Sequence, residues 1–309
     1  MGVMRTLLLK ASQSDWLAKQ ATSRRFAKRA VSRFMPGEHV QAAISAAGDL
    51  RERSITTVFT LLGEAIADRS EAEKVRDHYL DVLERVDRSA LATHLSVKPT
   101  QLGLNISRDL CTELISGLLS RAAALHNFLW IDMESSEHVD ATLKVFRELR
   151  TSHTNVGLCL QSYLHRTADD LETLLPLTPA IRLVKGAYNE PPHIAFPRKQ
   201  DVDANFFKLA KRLLAEEARR EGVRPGFGTH DMHLITRIQD FAEGAGIPRN
   251  AYEVQMLYGI RRDDQLRLTA EGYSVRVLIS YGSYWFPWYM RRLAERPANL
   301  WFVAKSVFR

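Results

Sequence analysis

The sequence predicts an α/β fold, a (β/α)8 TIM-type barrel with additional N-terminal helices, and three observations predict it. Eight short apolar runs rich in β-branched and aromatic residues follow one another along the chain. Segments with apolar residues at helical spacing lie between them, which is the pattern of repeated βα units, and eight such units close a barrel. None of the eight runs leads into a Gly-x-Gly-x-x-Gly turn, the phosphate-binding fingerprint of a doubly wound open sheet. Gly244-Ala245-Gly246, the nearest approach to it, follows a helical segment instead.

In chain order the strands are read over 54–62, 91–97, 128–133, 156–161, 181–185, 226–229, 252–256 and 274–280. The first is the weakest on β-propensity. Among the intervening helices are 72–86, 110–125, 139–149, 204–217 and 234–241, each with an apolar stripe at 3.6-residue spacing. No internal repeat, low-complexity tract or linker divides 54–296, so residues 51–309 form one barrel whose C-terminal helix closes the site. Met35-Pro36-Gly37 marks the end of a basic stretch, and residues 1–50 read as a basic helical arm added to the barrel.

With 309 residues, 45% of them hydrophobic and 26% charged, the chain has enough apolar surface for a full core. Its formal charge of +7 is concentrated in the first 37 residues, where Arg5, Lys10, Lys19, Arg24, Arg25, Lys28, Arg29 and Arg33 face only Asp15. Such a stretch suits an anionic membrane surface or a solvated helix packed through Leu7, Leu8, Leu9, Trp16 and Phe26. Its aromatics are too sparse for a nucleic-acid partner. Cys111 and Cys159 lie far apart inside apolar segments, the pattern of reduced core thiols in a cytoplasmic protein. No run reaches the roughly 18 apolar residues of a membrane span.

The most informative stretch for chemistry is Arg182-Leu183-Val184-Lys185-Gly186-Ala187-Tyr188, a short apolar strand that delivers two cations, a glycine and an aromatic to its end. That combination suits a flat, anionic ligand. Period-2 alternation sets Arg182, Val184 and Gly186 on one side and Leu183, Lys185 and Ala187 on the other. Barrel sites form at the carboxyl ends of strands. Polar residues collect there throughout this chain: Glu64, Lys98, Asp132, Gln161, Arg182 with Lys185, Thr229 with His230 and Asp231, Gln255, and Tyr281.

Seven motifs occur in order. They are Ser96-Val97-Lys98, Ile131-Asp132-Met133-Glu134, Gln161-Ser162-Tyr163, Arg182 to Tyr188, Gly228-Thr229-His230-Asp231, Glu253-Val254-Gln255-Met256-Leu257-Tyr258-Gly259 and Arg291-Arg292-Leu293-Ala294-Glu295. In this succession the chain resembles the proline dehydrogenase family, in its monofunctional bacterial form. The resemblance implies FAD bound noncovalently without a Rossmann unit, oxidation of L-proline to Δ1-pyrroline-5-carboxylate by hydride transfer to the flavin, and electrons passed to a membrane quinone. By position it implies FAD contacts from Met133, Gln161, Arg182, Val184, Lys185, Gly186, Ala187, Thr229, His230 and Gln255. Lys98, Asp132, Tyr188, Leu257, Tyr281, Arg291 and Arg292 would form the proline pocket, with Glu295 supporting the arginines or the cofactor.

Those residue types suit those roles. A cation near the reducible edge of a flavin stabilises the negative charge that reduction brings. Adjacent arginines can hold a carboxylate in a bidentate grip, Lys98 adds a third positive charge, and Leu257 and Tyr281 suit the ring methylenes. One departure is visible: where the family often has a tyrosine three residues before the arginine pair, this chain has Trp288, with Tyr289 beside it. The resemblance also implies loose membrane contact and a Δ1-pyrroline-5-carboxylate dehydrogenase as downstream partner. The alternative reading is a metal-dependent barrel hydrolase built on His230-Asp231-Met232-His233. It is opposed by the cations at the barrel mouth and by the lack of a His-x-His after the first strand.

Overall fold

In the computed structural model the described residues are 31–63 and 65–295, the side chains of 291–295 excepted. The basic arm before residue 31, and Glu64, lie outside them. Eight strands, β1 Thr56–Leu61, β2 Thr93–Val97, β3 Leu129–Ile131, β4 Val156–Gln161, β5 Ala180–Val184, β6 Arg224–Gly228, β7 Glu253–Leu257 and β8 Ser274–Tyr281, form a closed parallel barrel in sequential order. The β1–β8 seam that closes it is paired over six residues, from Thr56↔Arg276 to Leu61↔Tyr281. The 54–62 segment is therefore a full member of the sheet.

The helices are α1 Val40–Arg51, α2 Arg69–Arg88, α3 Arg108–Ala124, α4 Val139–Ser152, α5 Thr167–Leu174, α6 Lys199–Leu213, α7 Glu216–Arg220, α8 Met232–Gly244, α9 Arg262–Ala270 and α10 Trp285–Glu295. Two of them start on side-chain caps that the sequence supplies. Asp68 caps α2 by accepting from the Glu71 amide, and Ser107 caps α3 by accepting from the Leu110 amide. On α2 the buried residues Ala72, Tyr79, Val82, Leu83 and Val86 recur at three- and four-residue spacing and turn to the barrel. The strands, covered on both faces, are nearly continuous apolar runs, and β4 is buried along its whole length. The helix read over 204–217 is two: Ala215 is extended (ψ 146°), so the chain steps after the buried Leu214 and restarts as α7. Helix α1, from the N-terminal arm, packs on β1 and β8.

Inside the barrel, the end formed by the strand N-termini is plugged by polar groups paired with one another. Arg276 donates to Glu253 through Nε at 3.0 Å and Nη2 at 2.8 Å, and through Nη1 to the Thr57 carbonyl at 2.9 Å. Trp130 Nε1 donates to His94 Nδ1 at 3.3 Å. Burial pushes the Glu253 carboxyl up, but the bonds and charge of Arg276 outweigh it and hold the pKa below the ordinary value. The pair's stabilisation is thus complete above the usual carboxylate range and is lost as pH falls through the lowered pKa. Glu253→Ala leaves Arg276 buried without a counter-ion. The expected loss is about 3 kcal/mol, the lower end for a broken buried pair because Glu253 keeps 28% exposure, checked by denaturant unfolding.

Candidate functional site

The opposite end, where the strands finish, gathers the groups the sequence singled out. β3 stops at Ile131 and delivers Asp132 into the barrel, β5 brings Arg182, and β2 brings Ser96 and Lys98. Because β4 separates β3 from β5, Arg182 reaches Asp132 across the interior. Its Nη2 donates both to Asp132 Oδ1 and, at 2.7 Å, to Ser96 Oγ. Ser96 Oγ donates to Asp132 Oδ1 at 2.8 Å, while Lys98 Nζ donates to Asp132 Oδ2 at 3.4 Å and to Thr60 Oγ1 at 3.3 Å. Beneath them the Arg182 guanidinium lies 5.2 Å from the Trp130 ring centre.

Two cations thus share one carboxylate, leaving a net positive charge in a place nearly closed to water. Burial pushes the Asp132 carboxyl up, but Arg182, Lys98 and the Ser96 bond together pull it below the ordinary value, so it stays ionised. Arg182 Nη1 is buried and has no hydrogen-bond partner among the described residues. An unpaired buried donor carries the full desolvation penalty of the group, which an incoming acceptor would relieve.

Two glutamines repeat that arrangement. Gln161, at the end of β4, donates through Nε2 to the Met133 carbonyl at 3.2 Å, and Gln255 on β7 donates to Glu253 at 3.0 Å. The Oε1 of each is buried and unpartnered among the described residues. Strand β6, between β5 and β7, shows the interior Arg224 at its start and then only Gly226 and Gly228 toward the mouth. A Cβ there would stand 2.8 Å from Gln255 Nε2 or from Val184 Cγ1. The wall next to Arg182 is therefore bare backbone, suited to a flat ring.

Beyond β5 the chain turns at Gly186. Its φ of +113° and its close approach to the Tyr163 ring, which any Cβ at this position would overlap, exclude a side chain. Ala187 and Tyr188 follow, half-buried at the rim. Lys185 has two carboxylate partners that its own stretch of sequence does not reveal, Asp203 of α6 at 2.6 Å and Asp231 at 2.7 Å, and Lys199 joins the same two acids. These bonds pull Asp231 far below the ordinary carboxylate value against the effect of its burial. His230 Nε2 accepts from the Leu257 amide at 2.9 Å, and Thr229 Oγ1 accepts from the Asp231 amide at 3.2 Å. With His230 turned to the main chain and Asp231 to two lysines, the metal reading of this segment fails. Among the described residues no group of three His, Cys, Asp or Glu could hold a metal.

Tyr281 requires a correction. Along β8, Arg276, Leu278 and Ser280 face the interior and Tyr281 faces the helices, where its hydroxyl lies 2.9 Å from His78 Nε2 of α2 and its ring meets Phe59. It cannot cover a ligand in the barrel. Leu278, half-buried against Val58 and Trp130, is the inward apolar residue of that strand, and Leu257 is its counterpart on β7. Thr60, Ser96 and Trp130 also belong to the site, although nothing in their local sequence gives them a role there. Cys111 and Cys159 are both buried and free, and Cys159 faces the interior beside Arg182.

Arg291, Arg292 and Glu295 are on α10, and their side chains lie outside the described residues. The start of α10 is fixed to the barrel by an apolar cluster of Val31, Phe34, Met35, Leu62, Trp285, Phe286 and Tyr289, and by a bond from Trp285 Nε1 to Glu38 at 3.2 Å. Trp288 lies against that cluster, and Tyr289 packs its ring 6.1 Å from Phe34.

A closed parallel barrel with its cations and unpaired polar atoms gathered at the C-terminal mouth has the architecture of a barrel enzyme. A family model described as proline dehydrogenase matches residues 43–305. Proline dehydrogenase 1 of Bacillus subtilis (strain 168) is 34% identical across 99% of this chain and 100% of its own length. The proline dehydrogenase of Deinococcus radiodurans is 36% identical, across 90% of this chain and 89% of its own. Among solved structures, proline utilization A from Bdellovibrio bacteriovorus, inactivated by N-propargylglycine, superposes with a TM-score of 0.80 at 24% identity; the match covers 87% of this chain but 33% of that one, and speaks to the fold. The chain belongs to the proline dehydrogenase family and is an oxidoreductase.

Proposed function

We propose that the chain oxidises L-proline to Δ1-pyrroline-5-carboxylate, with FAD as the bound electron acceptor and a quinone as the reoxidant. The observation that carries this reading is the Arg182–Asp132–Lys98 constellation, with Arg182 Nη1 unpartnered at the barrel mouth. The residues present suit an isoalloxazine, whose edge alternates carbonyl and ring nitrogen. Arg182 Nη1 would donate to that edge, the amides of Gln161 and Gln255 offer polar atoms that nothing among the described residues satisfies, and the Gly226–Gly228 wall admits the ring. Bound FAD would supply a two-electron acceptor.

The chain's own residues do the rest. Asp132 holds Lys98 and Arg182 in place, so two cations face the mouth before any ligand arrives. Lys98 faces the interior with its charge only partly neutralised, at 3.4 Å from Asp132, and attracts the proline carboxylate together with Arg291 and Arg292 of α10. Leu257 and Leu278 bring apolar surface to the ring methylenes. Lys185, held by Asp203 and Asp231, and the backbone of Gly186 and Ala187 line the rim where the cofactor's polar tail would leave the barrel. The basic arm suits loose contact with an anionic membrane, where a lipid-soluble quinone resides. A Δ1-pyrroline-5-carboxylate dehydrogenase would consume the product.

Purified protein is expected to carry a flavin absorption band that bleaches on adding L-proline, and mild denaturation is expected to release FAD. Release of FMN, a flavin retained on the precipitated chain, or a band unmoved by proline would each reject the reading.

A further inference from the structure

We propose that Ser96 is a positioning residue for this reaction, one that keeps Arg182 from closing onto Asp132 and so leaves one arm of the guanidinium free for the cofactor. The inference rests on the reading that a flavin lies over Arg182.

An arginine beside a carboxylate frequently settles into a two-pronged pair that uses two of its nitrogens, as Arg276 does on Glu253. Here the pair is one-pronged. Arg182 Nη2 serves both Asp132 Oδ1 and Ser96 Oγ, Asp132 Oδ2 is given to Lys98, and Nη1 is left over. The serine hydroxyl has a single proton, which goes to Asp132, so it must meet Arg182 as an acceptor. Ser96 therefore fills the corner between the two charged groups and ties each to itself. It is completely buried, so water cannot stand in for it.

Ser96 is in turn fixed from behind. Tyr79 of α2 donates its hydroxyl proton to the Ser96 carbonyl at 3.1 Å and accepts from the Leu61 amide at 3.0 Å. The phenol thus bridges β1 and β2 just past Phe59↔Leu95, where their paired register ends. Burial pushes its pKa far above the ordinary phenol value, so the bridging proton stays in place. Where the two strands part, this bridge sets the height of Ser96 in the mouth.

The test uses FAD-loaded Ser96→Ala, Ser96→Thr and Tyr79→Phe with two readouts, the midpoint potential of the bound flavin in a dye-coupled titration without proline, and the rate of flavin reduction by proline. In Ser96→Ala, Arg182 is expected to close onto Asp132 and withdraw Nη1. The potential should then become more negative and the rate fall about tenfold, the lower end for a hydrogen bond to a charged group, at unchanged FAD content. Ser96→Thr, which keeps the hydroxyl, is expected to restore both. A wild-type potential in Ser96→Ala overturns the proposal, and so do equal losses in the alanine and threonine variants, which would make packing the cause. Should Ser96→Ala fail to fold, Tyr79→Phe decides: a potential shifted the same way supports the proposal, and an unshifted one overturns it. Failure of the underlying reading shows separately, as wild-type protein without a flavin that proline bleaches.

Discussion

Asp132→Ala is expected to lower the stability of the protein by about 3–5 kcal/mol and to lower its FAD content with it, because two cations then stand in the barrel without a counter-ion. The side chains involved are shielded, at 4% exposure for Arg182, 13% for Lys98 and 18% for Asp132, so solvent screening relieves little of that cost. The pair is not a large net stabiliser, since taking both charges out of water offsets most of their attraction. Arg182→Met in the Asp132→Ala background is therefore expected to recover part of the lost stability, and a double-mutant cycle on urea unfolding measures that coupling. In wild type the lowered Asp132 pKa means that the contribution is fully present at neutral pH and fades as pH falls through that pKa, and the acid arm of this dependence should vanish in Asp132→Ala. Single and double variants that lose stability additively would show that the groups do not act as a unit.

The barrel is legible in the sequence because parallel strands buried on both faces leave runs that helices do not imitate, and all eight runs are strands of the sheet. Helices α5 and α9 leave weaker traces: α9 buries only Gln265 and Leu268, too little for an amphipathic stripe. The mouth is legible where a side chain continues a strand's inner row, as with Asp132, Gln161, Arg182 and Gln255. It is not legible where parity or distant partners decide. Tyr281 stands at a strand end, but a step of one residue along a strand changes the face, and the inner row of β8 passes through Leu278 and Ser280 instead. Lys185 reads as a free cation until the fold brings Asp203 and Asp231 to it across 18 and 46 residues of chain. Ser96 looks like an ordinary strand serine. Its role follows from Asp132 and Arg182 arriving from two other strands, 36 and 86 residues away.

The arginine pair of α10 bears the largest expected effect on turnover. Arg291→Met and Arg292→Met are each expected to lower kcat/KM for L-proline by at least about 100-fold while FAD content stays near wild type. Proline offers only a carboxylate and a secondary amine for recognition, so a clamp on the carboxylate must supply most of its orientation over the flavin. Removing one arm of a buried clamp leaves the carboxylate partly unpaired, at roughly 3–5 kcal/mol when fully enclosed and less when solvent reaches it. The enclosed range corresponds to two factors of ten or more at about 1.4 kcal/mol each. The alternative role for the pair is a helix-surface ion pair with Glu295, three or four residues away, worth a few tenths of a kcal/mol. That role predicts a slight loss of stability and near-native turnover. The two outcomes differ by orders of magnitude in a single steady-state measurement on flavin-replete protein. The described start of α10 sharpens the comparison, because its apolar cluster with Val31, Phe34 and Met35 and its Trp285–Glu38 bond anchor the helix independently of the arginines. Either substitution should thus leave the helix docked, and near-native kcat/KM in both variants would remove the clamp from the mechanism.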